Sequence, residues 1–332
     1  MGIMDRTTTT AVNDIYNIRK VLQNARSKFA YTLAGTPDEL EMRSGDTVKW
    51  FTVADLTEQT AALTESATFS PEAATVTSQT AQLTLYGNGV EYLETLDKTS
   101  VINLPDSLLE RVGHNAGKSI DGRVKAVAVA GTSTYVANGT ATASFSSNDT
   151  VDMTDFITVV SKLETNDAPK FVHPRTGEEV YLAIIHPRVK ALLMKDSVFR
   201  EMVRNNAADR YYRGEIGSLD GVTFIVTSGA YTSTISATAT DETLVVGKGA
   251  YGISSLPLMG TGEKRIDAPT AKQYDNDAWT NEMIKQMFSV VVTPPGGHGD
   301  ELAVKTAIAW KAFFTSKILN QNFMYRIRSY QA

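Results

Sequence analysis

"NLPDSLLERVGHNAGKSIDGRVKAVAVAG", residues 103–131, holds the pattern on which the fold turns. Pro105 suits a first helical turn, where its missing N–H would have no partner anyway, and Asp106 and Glu110 favour the positive end of a helix dipole. Leu108, Val112, Ala116, Ile120, Val124 and Val127 recur at helical spacing, so one stripe is predicted to face a core. At about 1.5 Å per residue such a helix spans roughly 35–40 Å. Gly113, Gly117 and Gly122 each cost about 1 kcal/mol relative to alanine, so the helix depends on tertiary contacts. Gly113 and Gly117 share a face on which another backbone can approach closely.

Upstream, Ile15, Ile18, Val21, Leu22, Ala25 and Phe29 predict a helix within Val12–Leu33, in an N-terminal arm. "VKWFTV" (48–53) and "TAQLTLYG" (80–87) alternate in the manner of strands and read as the arms of a long hairpin. The intervening "ADLTEQTAALTESATFSPEAATVTSQ" (54–79) has too few large apolar residues for a core of its own. A two-stranded ribbon is marginal in water, so this one is expected to lean on something else, such as another subunit.

Downstream, the Thr/Ser/Ala/Gly-rich 131–150 tract reads as a surface excursion. An α/β-like region follows: a helix at 152–164, a strand at 181–185, a helix from Pro187 through "VKALLMKDSVFREMV", and strands at 222–228 and 243–247 separated by a polar tract. The last stretch is ambiguous, since Trp310, Phe313, Phe314 and Ile318 fit a helical stripe. The alternation of Val304, Thr306, Ile308 and Trp310 favours a strand instead.

The chain has 332 residues, 42% of them hydrophobic and 21% charged, which is a globular composition long enough to bury a sizeable core. No apolar run approaches the roughly 18 residues needed to span a membrane. The N-terminus lacks the apolar core of a secretory signal, and Arg6 stands where a myristoylation pattern wants Ser or Thr. There is no cysteine, which excludes disulfides, thiolate nucleophiles and most structural zinc sites. A net charge of -5 argues against a broad basic grip on nucleic acid.

Candidate chemistry is sparse. "RGEIGSLDGVTFIVTSGA" (213–230) has neither dinucleotide nor P-loop spacing, and it precedes a strand instead of following one into a helix. Gly214, Gly217 and Gly221 are therefore expected to be turns that feed a strand. "GKGAYG" (247–252) meets the same objection. His114, His173, His186 and His298 have no partner histidine at metal-ligating spacing, no G-x-S-x-G elbow occurs, and Glu178 and Glu179 are adjacent carboxylates on a solvated face. Lys305, Lys311, Lys317, Arg326 and Arg328 interleave with Trp310, Phe313, Phe314 and Tyr325, and read as the polar rim of a buried stripe. No catalytic, cofactor-binding or metal residue is expected.

The order of parts resembles the major capsid protein of tailed bacteriophages, whose fold herpesvirus capsids share. "SGDTVKWFTVADLTEQTAALTESATF" (44–69) and "LTLYGNGVEYLETLDKTS" (83–100) are similar to the arm-to-hairpin region of the family typified by the podovirus called N-four. "IIHPRVKALLMKDSVFREMV" (184–203), "GEIGSLDGVTFIVTS" (214–228), "VVGKGAYG" (245–252) and "AWKAFFTSKILNQNFMYRI" (309–327) are similar to its apical and closing segments, in the same order. The resemblance implies an α+β fold with an N-terminal arm (1–45), an extended hairpin lying over a neighbouring subunit (46–102) and a peripheral domain with the spine helix (103–149). An axial domain (150–260) and a return to the peripheral domain with C-terminal strands (261–332) complete it. It further implies a non-enzymatic subunit that assembles into hexamers and pentamers of an icosahedral capsid around double-stranded DNA. The partners implied are the chain itself, with portal, scaffolding and decoration proteins, packaged DNA as a non-specific neighbour, no membrane and no cofactor. The location implied is the virion capsid, assembled in the host cytoplasm. Some members carry an N-terminal scaffolding segment that is later cleaved; here it is expected to be absent, already removed or supplied separately.

An encapsulin-like shell protein of a bacterial nanocompartment is the alternative from the same fold. A nucleotide enzyme using 214–221 and a Thr/Ala-rich adhesin rank below it. A ribbon completed only by neighbours is open to proteases in free subunits, so cleavage within about residues 57–80 is expected in monomers and protection in particles. Equal cleavage in both states, read by mass spectrometry of the fragments, contradicts that assignment.

Overall fold

The computed structural model describes residues 20, 21, 24, 25, 29–40, 45–54, 56–58, 60, 72–101, 103–172, 177–196, 199, 200, 215–219, 221–235, 237–256, 289–293, 302 and 304–331. Lys20, Val21, Asn24 and Ala25 are helical, while residues 12–19, 22, 23 and 26–28 of the predicted arm helix lie outside the described residues. The helix does not extend through Phe29 to Leu33 as expected, since Phe29 and Ala30 are not helical and Thr32–Ala34 form a single 3-10 turn. In chain order the elements are β1 (Thr36–Glu39), β2 (Thr47–Val53), β3 (Val76–Gln82), β4 (Thr84–Leu93), α1 (Glu94–Thr99), α2 (Leu104–Ala128), β5 (Thr134–Val136), α3 (Met153–Thr165), β6 (Phe171–Val172) and β7 (Glu179–Ile185). There follow α4 (Pro187–Leu193), β8 (Glu215–Leu219), β9 (Val222–Val226), β10 (Thr232–Ile235), β11 (Thr238–Val246), β12 (Tyr251–Ser255), β13 (Ser289–Thr293), β14 (Lys305–Ile318) and β15 (Met324–Tyr330).

Helix α2 is the predicted spine, 25 residues long, with Asn103 as its cap and Pro105 in the first turn. Its buried stripe runs Leu109, Val112, Gly113, Ala116, Gly117, Ile120, Asp121, Val124 and Ala128. The stripe is shifted at its ends from the expected Leu108 and Val127, because steps of four residues drift around a helix of 3.6 residues per turn. The close approach anticipated at the glycines is present at Gly113. A Cβ there would lie 2.7 Å from the Val21 carbonyl oxygen and 3.2 Å from the Val21 Cα, so the arm's backbone rests on the spine helix.

A five-stranded sheet, ordered β1-β12-β14-β13 with β4 on the other side of β14, covers the spine. Strand β14 is one continuous run of 14 residues that buries Ile308, Trp310, Ala312 and Phe314 in alternation, which settles the helix-or-strand ambiguity. A second, eight-stranded sheet runs β5-β15-β11-β7-β9-β8, with β10 beside β11 and β6 beside β7. It separates two cores. On one face Tyr181, Ala183 and Ile185 pack with Phe156, Val159 and Leu163 of α3 and Val189 of α4. On the other, Ile184, Leu244 and Val246 join Ile120, Val124 and Ala128 of the spine. Period-two alternation on a strand buried from both sides produces this division. Asp152 and Asp155 form a capping box that starts α3, and Phe156 and Phe199 meet Phe224 edge-on.

Several expectations change. The second hairpin arm is split at Leu83: residues up to Gln82 pair with β2, while Thr84 onward pairs with β14, a longer partner. The helix from Pro187 ends at Leu193, with Phe199 and Arg200 helical again beyond described residue Asp196. The polar tract before residue 243 adds strand structure that was not expected, because β10 and a long β11 pair as a hairpin around Ala237, which takes φ 65°. The 131–150 tract is not wholly a surface excursion, since β5 pairs with β15 and Val136, Ala137 and Phe145 are buried. β12, within the expected 150–260 span, lies in the five-stranded sheet, and β15, within the expected 261–332 span, lies in the eight-stranded one.

Arg326 departs from the expected rim. It is buried, with Nη1 donating to Glu242 at 2.6 Å and Nη2 to the Gly131 carbonyl at 2.7 Å. Arg328 Nε lies 3.5 Å from the same Glu242. On the opposite face of β11, Asp241 accepts two bonds from Arg188 of α4, at 3.0 and 2.6 Å. Charges buried this deeply need partners of opposite sign, and two adjacent acids on β11 each find one on its own face.

Alanine at Gly113 would press against backbone, an overpacking cost of about 1–3 kcal/mol that exceeds the roughly 1 kcal/mol gained in helix propensity. At Gly122 nothing lies within 4 Å of a new Cβ. Urea denaturation is expected to show Gly113→Ala destabilised and Gly122→Ala stabilised by up to about 1 kcal/mol.

Candidate assembly interface

Two segments are joined to the body by specific roots, the arm and the β2–β3 ribbon, and the sequence dictates each root. The arm's root is Asp121, a carboxylate on the buried stripe of the spine helix. Its Oδ1 accepts from the Ala30 and Thr32 amides at 2.9 Å each and from the Thr32 hydroxyl at 3.1 Å. Burial pushes the Asp121 carboxyl above the ordinary aspartate range, while the amides of Thr32, Ala30 and Tyr31 and the Thr32 hydroxyl pull the other way. Tyr31 is fully buried beside it, accepting from the Tyr231 amide at 3.0 Å through its hydroxyl and taking the Tyr251 hydroxyl on its carbonyl. Burial raises both phenols, so they remain neutral hydrogen-bonding groups. One residue therefore joins arm, spine, β10–β11 and β12.

The ribbon's root is apolar. Val48 and Leu83 are buried, and a Cβ at Gly252 would meet the Trp50 indole at 3.1 Å, so Trp50 packs against a glycine of β12. Leu83 donates its amide to the Asp46 carbonyl at 2.8 Å, and Gln82 reaches the Asp46 carboxylate at 2.8 Å. The Gln82 amide, then the Thr47 hydroxyl, lower the Asp46 carboxyl below its ordinary range.

Beyond that root the pairing is Phe51 with Ser78 and Val53 with Val76, so these side chains share one face, opposite Trp50. Phe51 is 67% exposed, Val53 61% and Val76 59%. Near the far end Thr57 bonds to Glu72 through both amide and hydroxyl. A second apolar set, Leu93, Leu96, Val101 and Leu302, is exposed around the end of β4 and α1. Exposed apolar groups gathered on a protruding element mark surfaces that a partner covers.

The sequence-predicted residues fall apart from these roots. Gly221 turns the chain between β8 and β9 with φ 77°. Gly217, expected in a turn, stands inside β8 beside the register shift between Glu215 and Ser218, where a bulge takes up the irregularity. Gly214, His173 and His298 lie outside the described residues. His186 caps α4 by accepting from the Arg188 amide at 3.2 Å, and burial lowers its affinity for a proton. His114 is half-buried on the spine. Among the described residues no group of three His, Asp or Glu could hold a metal, and no helix is long and apolar enough to cross a membrane. Sequence reasoning missed Asp121, although an acid between Ile120 and Val124 in an otherwise apolar stripe was the available signal.

A helix backed by two sheets, with a rooted arm and a protruding ribbon, is the capsid-subunit fold of tailed phages. Among solved structures, the capsid of Ralstonia phage GP4 superposes with a TM-score of 0.64 at 11% identity, covering 92% of both chains. The capsid asymmetric unit of cyanophage Pam1 gives 0.61 at 10% identity, over 95% of this chain and 94% of that one. The capsid of cyanophage P-SCSP1u gives 0.59 at 14% identity, over 90% and 86%. No protein-family model matches the sequence, and no curated protein matches it. At these identities the likeness is one of fold.

The raised carboxyl of Asp121 fixes the sign of a pH effect. A group whose folded pKa lies above its unfolded value contributes stability that is complete below the unfolded pKa and lost as pH rises through the folded one. Asp121→Asn keeps an acceptor oxygen, whereas Asp121→Ala strands the Ala30 and Thr32 amides at about 1–3 kcal/mol each. Urea titrations at mildly acidic and neutral pH are expected to show alanine more damaging than asparagine, and both variants losing part of the stability gained by acidification.

Proposed function

We propose that the chain is a structural subunit that assembles with copies of itself into hexamers and pentamers of an icosahedral capsid enclosing double-stranded DNA. The observation that carries this reading is the likeness to phage capsid subunits over more than nine-tenths of the chain. The exposed face of Phe51, Val53 and Val76 supports it physically. Burying such side chains contributes about 1.5–3 kcal/mol each, and a closed shell repeats that modest gain at every copy. Weak repeated contacts let misplaced subunits leave before the shell closes.

In this reading residues 1–45 are the arm, 46–102 the ribbon with its β4 root, 103–149 and 261–332 chiefly the peripheral part, and 150–260 chiefly the axial part that meets its copies at capsomer centres. The subunit performs no catalysis and takes no cofactor. Its place is the virion capsid, built in the host cytoplasm, with portal, scaffolding and decoration proteins as further partners. The net charge of -5 suits a wall that adjoins packed DNA without clamping it.

Expression of the chain and negative-stain electron microscopy tests the reading: closed shells or capsomers are expected, and a monomer under every buffer tried contradicts it. Phe51→Ser with Val53→Ser, at exposed sites, is expected to leave the unfolding midpoint of the subunit nearly unchanged while abolishing assembly. Nuclease-protected DNA inside native particles separates a capsid from a compartment that encloses an enzyme.

A further inference from the structure

Asn88 and Gly89 lie in the middle of β4, opposite Trp310 and Ala309. Among the described residues strand β4 pairs only with β14. The Glu94 amide donates to the Val304 carbonyl, so by the antiparallel alternation even-numbered amides of β4 face β14 and odd-numbered ones point to the side away from it. The Gly89 amide therefore points away from β14, and it donates to the side-chain oxygen of its own neighbour, Asn88 Oδ1, at 2.8 Å. The other end of that amide is held as well: Nδ2 donates to Asn115 Oδ1 at 3.3 Å, which also accepts from Trp310 Nε1 at 2.9 Å. An N–H held against Oδ1 sits beside the Cγ carbon that bears it, and glycine offers no side chain to block the approach.

We propose that Asn88–Gly89 is a site of spontaneous covalent modification, at which the Asn88 side-chain amide is exchanged for a carboxylate. The Gly89 nitrogen, after losing its proton to solvent base, attacks Cγ of Asn88. The Cγ–Nδ2 bond breaks, ammonia leaves with a proton from water, and a five-membered imide closes. Water then opens the imide at either carbonyl, giving aspartate, or isoaspartate with an extra methylene in the backbone. The sum is one water consumed and one ammonia released, with no oxidation or reduction. The product removes the donor that faced Asn115, and in the isoaspartate form it breaks the β4–β14 register at Trp310.

A second Asn–Gly pair, Asn138–Gly139, serves as an internal control. There the Asn138 side chain turns away, donating to the Asn148 carbonyl at 3.3 Å, while its amide donates to Asp155 at 2.9 Å. The folded chain is incubated at mildly alkaline pH and body temperature, digested, and followed by mass spectrometry for the gain that accompanies replacement of NH2 by OH. Conversion at Asn88 is expected several-fold faster than at Asn138 in the fold, with the two rates converging in urea. Asn88→Ser is expected to abolish the signal from its peptide. The proposal is overturned if Asn138 converts as fast as Asn88 in the folded chain, or if Asn88 converts in urea but not in the fold. A mass gain that persists in the serine variant's peptide overturns it too.

Discussion

The contact between the arm and the spine helix is the constraint on which the other parts depend. At Gly113 two backbones meet with no side chain between them, and two turns further on Asp121 gathers the arm's amides on one oxygen. Both devices sit on the stripe that also closes the core against two sheets, so the arm is built into the body and does not merely lie on it. Neither device tolerates substitution freely, because one needs the absence of a Cβ and the other needs an acceptor where the buried Ala30 and Thr32 donors converge.

The arm and the ribbon are rooted by opposite means. The arm is held by polar groups inside a buried core, where each hydrogen bond is costly to lose. The ribbon is held by Trp50 on Gly252 and by buried Val48 and Leu83, contacts that are strong but non-directional. Past that root the ribbon turns an apolar face to water. The same short element thus has one face committed to its own chain and one face available to another.

Much of this was legible in the sequence. The spine helix followed from its stripe, and the continuous strand β14 from strict alternation of Ile308, Trp310, Ala312 and Phe314. The glycine pair on the helix announced a backbone neighbour, though not which one. What the sequence hid was long-range pairing. Nothing local separates Gln82, in the ribbon, from Thr84, in the sheet, because both belong to one alternating run and only the choice of partner strand divides them. Arg326 read as surface for the same reason, since its partner Glu242 lies 84 residues away. Gly217 misled in another way: a glycine marks a break in regular pairing inside a strand as readily as a turn, and this one stands within the register shift of β8.

Strand β4 follows the ribbon after a single residue, Leu83, and is zipped to β14 over ten consecutive pairs from Thr84 to Leu93. Tension applied to the ribbon along that strand is therefore borne by many ladder bonds in parallel, as a lap joint bears load, and not one after another as in peeling. A pull on the ribbon would thus reach the body spread over the whole length of that joint.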